Sequence, residues 1–224
     1  MGVLKKIFGP SRDEIWQQFS QEIGAKFIEG SIFKHSKVEA KVNHWTLVLD
    51  LYTPDGKIYY TRMRAPYINK DGFRFAIYEA SFFSKLGKVF GLQDIEVGSP
   101  YLEGLKPMFG TQSYLSGKDI ILDPDFDKNY IIQGNYEQKV KSLFSNLRIR
   151  QLIQDHPDIH FEVLDDEGLF STTFPQGVDQ LRFQVFGEIK DLERLKSLYY
   201  LFAETLNHLC HIDSAYENDP NLLL

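Results

Sequence analysis

Three aspartates at alternating positions, Asp123, Asp125 and Asp127, begin as a calcium-binding loop begins. The sixth place of such a loop, where a sharp turn needs glycine, is Lys128, and the twelfth, where a bidentate carboxylate belongs, is Gly134. The run therefore reads as a solvated acidic turn that starts from an extended residue before proline. His208 and His211 sit three apart beside Cys210, a spacing that can share a metal on a helix, but no third and fourth ligand stands at a recognisable distance. His156 and His160 straddle Pro157 and do not belong to one continuous helix face. There is no glycine-rich phosphate loop, nucleophile elbow, paired-histidine zinc helix or dinucleotide fingerprint, and Ser116-Gly117-Lys118 lacks the flanking glycine and hydroxyl of a phosphate loop. The expectation is no metal and no cofactor, with the catalytic residues of any enzyme reading unknown.

The polar residues that carry most information follow from a strand register. Trp45, Leu47, Leu49 and Leu51 alternate with Thr46, Val48, Asp50 and Tyr52, and Thr53-Pro54-Asp55-Gly56-Lys57 has the proline and glycine of a three-residue hairpin loop. Pairing Thr53 with Lys57 sets Leu49 against Thr61 and Leu47 against Met63, whereas a shift by one would bury arginines. Arg62 and Arg64 then leave the apolar face in company with Asp50 and Tyr60, and Arg74 and Tyr78 alternate the same way on the next strand. Arg62, Arg64, Arg74, Tyr60 and Asp50 are the candidate binding residues, suited by charge-assisted hydrogen bonds to an acidic protein or a phosphorylated ligand. As an exposed face, it predicts that alanine at Arg62 and Arg64 changes stability by no more than about 0.5 kcal/mol per site.

Local signals place these residues on an α+β frame. Ser11 and Glu14 form a capping box ahead of Trp16, Phe19 and Ile23 at helical spacing. A meander of three strands follows, the third carrying Phe73, Phe75 and Ile77 after the Asn69-Lys70-Asp71-Gly72 turn. Ser81 starts a short helix holding Phe82, Leu86, Val89 and Phe90, and residues 98–117 have neither period. After Asp123 come a strand at Tyr130-Ile131-Ile132, a helix opened by Asn135, and another capped by Asn146. Ile159, Phe161, Val163 and Leu181, Phe183, Val185 alternate as strands of a second small sheet. A last helix from about Lys190 to Ile212 carries Leu192, Leu195, Tyr199, Phe202, Leu206 and Leu209 as one stripe. The expected organisation is an N-terminal segment 1–10, a helix with an antiparallel sheet over 11–97, an irregular insertion at 98–122, a second α+β half over 123–212 and a tail at 213–224. Two similar halves from a duplication are one reading, without a residue-level repeat to support it.

The chain has 224 residues, 43% of them apolar, a net charge of −6 and one cysteine. A core of ordinary size needs no staples, no intrachain disulfide can form, and the charge disfavours nucleic acid and anionic lipid. The first ten residues lack the apolar run of a signal peptide, so the expected location is the cytoplasm. The block from Asp123 to Asn135, followed by Val140-Lys141-Ser142-Leu143-Phe144, resembles one that recurs in a bacterial domain family of unknown function. There, D-P-x-F-[DE] leads through a short strand and a polar turn into a helix. The stretches Tyr60–Pro66 and Gly91–Ile95 resemble it more loosely. Against that family, residues 98–117 look like an insertion, and the resemblance implies a bacterial cytoplasmic protein without bringing an activity. The leading expectation is a non-enzymatic binding or scaffolding protein of undetermined oligomeric state. The alternatives are a hydrolase-like enzyme with no linear motif and a membrane-peripheral protein attached through Val3, Leu4, Ile7 and Phe8.

Overall fold

A computed structural model describes residues 9–32, 34–53, 59–79, 119–165 and 174–222. In chain order the elements are α1 (Arg12–Glu22), β1 (Lys26–Ile28), β2 (Lys37–Val42), β3 (Trp45–Tyr52), β4 (Tyr60–Ile68), β5 (Phe75–Glu79) and α2 (Pro124–Asp127). They continue with β6 (Tyr130–Gly134), α3 (Glu137–Phe144), α4 (Leu147–Gln154), β7 (His160–Asp165), β8 (Val178–Phe186) and α5 (Leu192–His211). The fold is α+β, with one eight-stranded antiparallel sheet in the order β1-β2-β3-β4-β8-β7-β5-β6.

Three expectations are corrected. The two sheets are one, because β4 pairs with β8 from Thr61↔Val185 to Ile68↔Val178 and so joins the two halves of the sequence. Pairing Met63 with Phe183, both fully buried, covers apolar area that two separate small sheets would leave at an edge. The third strand does not extend the meander: β5 lies between β6 and β7, beyond β8. The Asn69–Gly72 turn makes that crossing. The Asn69 backbone N–H donates to Gly177 O at 2.8 Å, and its side-chain oxygen accepts from Gly72 N at 2.9 Å, with Gly72 at φ +73°. The β3–β4 register is two residues off the expected one: Leu49 faces Met63 and Leu51 faces Thr61, and the last pair is Tyr52↔Tyr60. A slip of two preserves which face each side chain takes. The expected three-residue loop and the Ser81 helix lie outside the described residues, as do most of the 98–122 excursion and the 3–8 segment.

Helix ends follow their caps. Ser11 and Glu14 form the capping box on α1, and Asn146 accepts from Arg148 N and Ile149 N on α4. Asn135 does not open α3. Its amide instead donates to Gly72 O and accepts from Arg74 N, tying the start of β5 to the end of β6. Asp123 with Pro124 behind it caps the single turn α2 rather than an irregular turn.

All five described helices feed one apolar cluster on one side of the sheet. Trp16 and Phe19 of α1, Val140 and Phe144 of α3, Ile149 and Leu152 of α4, and Leu195, Leu198, Phe202, Leu206 and Leu209 of α5 meet Leu47, Leu49, Met63, Ala65, Phe75, Ile77, Phe161, Phe183 and Ile132. Phe75 stands edge-on to both Phe144 and Phe161, at 5.5 and 5.7 Å between ring centroids. Burying side chains of this size is worth about 1.5–3 kcal/mol each, so the α5 stripe is accounted for by packing. Gly134 makes the α3 contact: a Cβ there would lie 2.4 Å from Val140 Cγ2.

Candidate functional site

Alternation along the same strands turns a second set of side chains to the opposite face, and there the chemistry is ionic. One row crosses five strands as Asp50, Arg62, Gln184, His160 and Tyr78, each paired with the next. The adjoining row is Val48, Arg64, Arg182, Glu162 and Ala76. Val48, Tyr60, Ala76 and Tyr78 on this face are buried yet stand outside the helix-packed cluster. Neither face of the central strands is an open, solvated surface.

Asp50 is the hub of the first row. It accepts from Arg62 through Nε and Nη2, both at 2.9 Å, and from Arg64 Nη2 at 2.7 Å, and its side chain is 15% exposed. Burial pushes its carboxyl up, but the Arg62 hydrogen bond and both guanidinium charges outweigh that and hold it below its ordinary value. The Arg62 guanidinium also lies over the Tyr52 ring at 4.5 Å from the centroid. Tyr60 is fully buried, with its ring 4.8 Å from that of Phe186.

Glu162 is the hub of the second row and is 1% exposed. Arg182 donates to its Oε1 through Nε at 3.1 Å and also through Nη2, and His160 Nε2 lies 3.3 Å from Oε2. Burial works against the charged form here too; the His160 and Arg182 interactions prevail and hold the carboxyl low.

Across the two rows, Arg62 and Arg64 pair with Asp50, and Arg182 pairs with Glu162. Burial lowers Arg64 from its ordinary value, with Asp50 opposing that and the Arg62 charge adding to it. Arg64 Nε, Gln180 Nε2 and Gln184 Oε1 are buried without a hydrogen-bond partner among the described residues. Native proteins rarely leave such groups unmet.

Of the five candidate residues, the structure brings four together: Asp50, Tyr60, Arg62 and Arg64. Arg74 is elsewhere. Its Nε and Nη2 bond both oxygens of Asp179 at 2.9 and 3.1 Å, and Nη2 reaches Asp165 at 2.7 Å, at the ends of β7 and β8. Sequence reasoning missed Glu162, Arg182, His160, Gln180 and Gln184. Their signal was the polar half of the alternation in β7 and β8, which in isolation reads as a solvated edge.

The remaining motifs resolve into local structure. Asp127 accepts from Leu122 N and Asp123 N at 2.8 and 2.9 Å, closing the acidic turn on itself. His208 Nε2 meets Ser142 O at 3.1 Å, and the His208 and His211 rings lie 5.4 Å apart. Burial pushes the Cys210 thiol up to about 11, which keeps it unreactive at neutral pH. Among the described residues no group of three or more His, Cys, Asp or Glu side chains is placed to hold a metal, and no helix is long and apolar enough to cross a membrane. Compared with models of known families and with curated proteins, the chain matches none.

Proposed function

We propose that this chain is a non-enzymatic binding protein whose polar sheet face takes an anionic group, a carboxylate or a phosphate, from its ligand. One observation carries the reading: on a face lined by Arg62, Arg64 and Arg182, the buried Arg64 Nε–H has no hydrogen-bond partner among the described residues. A bidentate oxyanion satisfies a guanidinium in a way that a neutral neighbour does not. Its lone cysteine favours the cytoplasm, and the Asp123–Phe144 block favours a bacterial origin.

The experiment is calorimetric titration with inorganic phosphate and, separately, with a polyglutamate peptide, on the wild type and Arg64→Gln. Arg64→Gln is chosen because Asp50 keeps its two bonds from Arg62. Binding of either probe that weakens at least tenfold in the variant supports the reading. No heat from either probe, or equal affinity in both proteins, removes it.

A hydrolase-like enzyme is the second reading, favoured by the buried His160 beside Glu162, a pairing that can orient an imidazole for proton transfer. Substrate-independent retention of all function in His160→Gln would remove it. Peripheral membrane attachment through Val3, Leu4, Ile7 and Phe8 rests on the sequence alone, and unchanged liposome sedimentation on deleting residues 1–9 would end it.

A further inference from the structure

His156 stands two residues past the end of α4, where the chain turns toward β7. It is 1% exposed, lies on the helix-packed side of the sheet, and sets its ring edge-on to Phe183 at 5.4 Å. Among the described residues, neither ring nitrogen has a hydrogen-bond partner. An imidazole in that niche is accommodated as a neutral ring, and an imidazolium, with two donors and a charge, is not.

The connection that carries His156 is held to α5 by polar contacts on either side of the ring. Asp155 accepts from Ser197 Oγ at 2.9 Å, and Arg194 Nη2 donates to Pro157 O at 3.0 Å. The backbone N–H of Asp158 donates to Glu79 at 2.7 Å, and Asp158 itself has φ +60°. The charges that bear on the ring are Arg194 from α5 and Asp155 from its own connection; Asp158 and Asp191 act on Arg194. Phe183 of β8 brings no charge.

We infer that the 155–158 connection is an acid-sensitive latch, closed onto α5 and Phe183 by the neutral His156 ring and released when that ring takes a proton. Burial and the Arg194 charge, opposed by Asp155, hold the closed imidazole down to about 4, against an ordinary value of 6.5. In the open connection the ring meets water and titrates near that ordinary value. Opening therefore gains little above pH 6.5 and grows as pH falls, by about 150-fold at pH 4 and toward a limit of about 300-fold below it.

Amide hydrogen exchange on the full chain between pH 7 and pH 4, corrected for intrinsic rates, tests this. The reporters are the Asp155 and His156 amides, which donate to Gln151 O and Ile153 O, with the amides of β3 as the reference. Asp158 is not a clean reporter because its acceptor is a carboxylate. The expected result is a loss of protection of about 100-fold at Asp155 and His156, a much smaller loss in β3, and none at the two reporters in His156→Phe. Flat protection in the wild type, an equal loss throughout β3, or the same loss in His156→Phe overturns the latch. If His156→Phe does not fold, the wild-type His156 ring proton decides. A midpoint near 6.5 with the reporters still protected contradicts the proposal, and a neutral ring until the reporters open upholds it.

Discussion

Asp50 is held by two arginines in a site where none of the three side chains is more than 17% exposed, and this changes what their removal does. As an open surface, the face allowed alanine at Arg62 and Arg64 to be nearly neutral. With Asp50 buried, the double substitution strands a carboxylate and costs on the order of 3 kcal/mol, read as a drop in the urea midpoint at an unchanged slope. Arg64→Gln alone costs less, since the bidentate Arg62 bonds remain. The same pairs set a pH dependence. Asp50 and Glu162 have carboxyls below their ordinary values of 3.8 and 4.5, so the unfolded chain binds more protons than the folded one below that range. Their contribution is complete above about pH 5 and is lost as pH falls through the ordinary carboxylate range and below. Asp50→Asn flattens part of that acid limb in a stability–pH profile; an unaltered limb would mean that Asp50 is not held low. Residue types were legible here, and their burial was not, because burial depends on what lies across the sheet.

At the scale of elements, Gly134 sets how closely α3 lies on β6. Gly134→Ala places a methyl 2.4 Å from Val140 Cγ2 and 3.0 Å from Arg74 O. The expected cost is about 1–3 kcal/mol by thermal or urea unfolding, and Val140→Ala in the same chain recovers part of it; additive losses would contradict the contact. Element identity was legible wherever a local signal decided it. The capping box at Ser11, the Asn146 cap and the α5 stripe all read correctly because each is settled within a turn or two of chain. Asn135 misled because an asparagine ahead of a helix can cap it or bridge strands, and the choice depends on Gly72 and Arg74, more than sixty positions away. The β3–β4 register misled by two residues because a local turn motif was allowed to set it. Face assignment survived, since the alternation has period two.

For the whole molecule, the β4–β8 ladder makes one sheet of what the sequence reads as two, and β5 crosses to the far half. Residues 1–97 and 98–224 expressed apart are each expected to lack a cooperative unfolding transition and to regain one on mixing. Two independent transitions would contradict the single sheet. Strand order was not legible because each strand alone shows only its own alternation, and nothing within it names its neighbour. The polar face exists only through that order: β8 inserts Arg182 and Gln184 beside Arg64 and Arg62, and β7 adds Glu162 and His160. That this assembled face receives an anion is tested most directly by the side-chain Nε–H resonances of the arginines during a titration with inorganic phosphate and then polyglutamate. The account predicts a saturable shift of Arg64, with Arg74, already engaged by Asp165 and Asp179, left in place. An unmoved Arg64, or a parallel drift of every arginine, would contradict it.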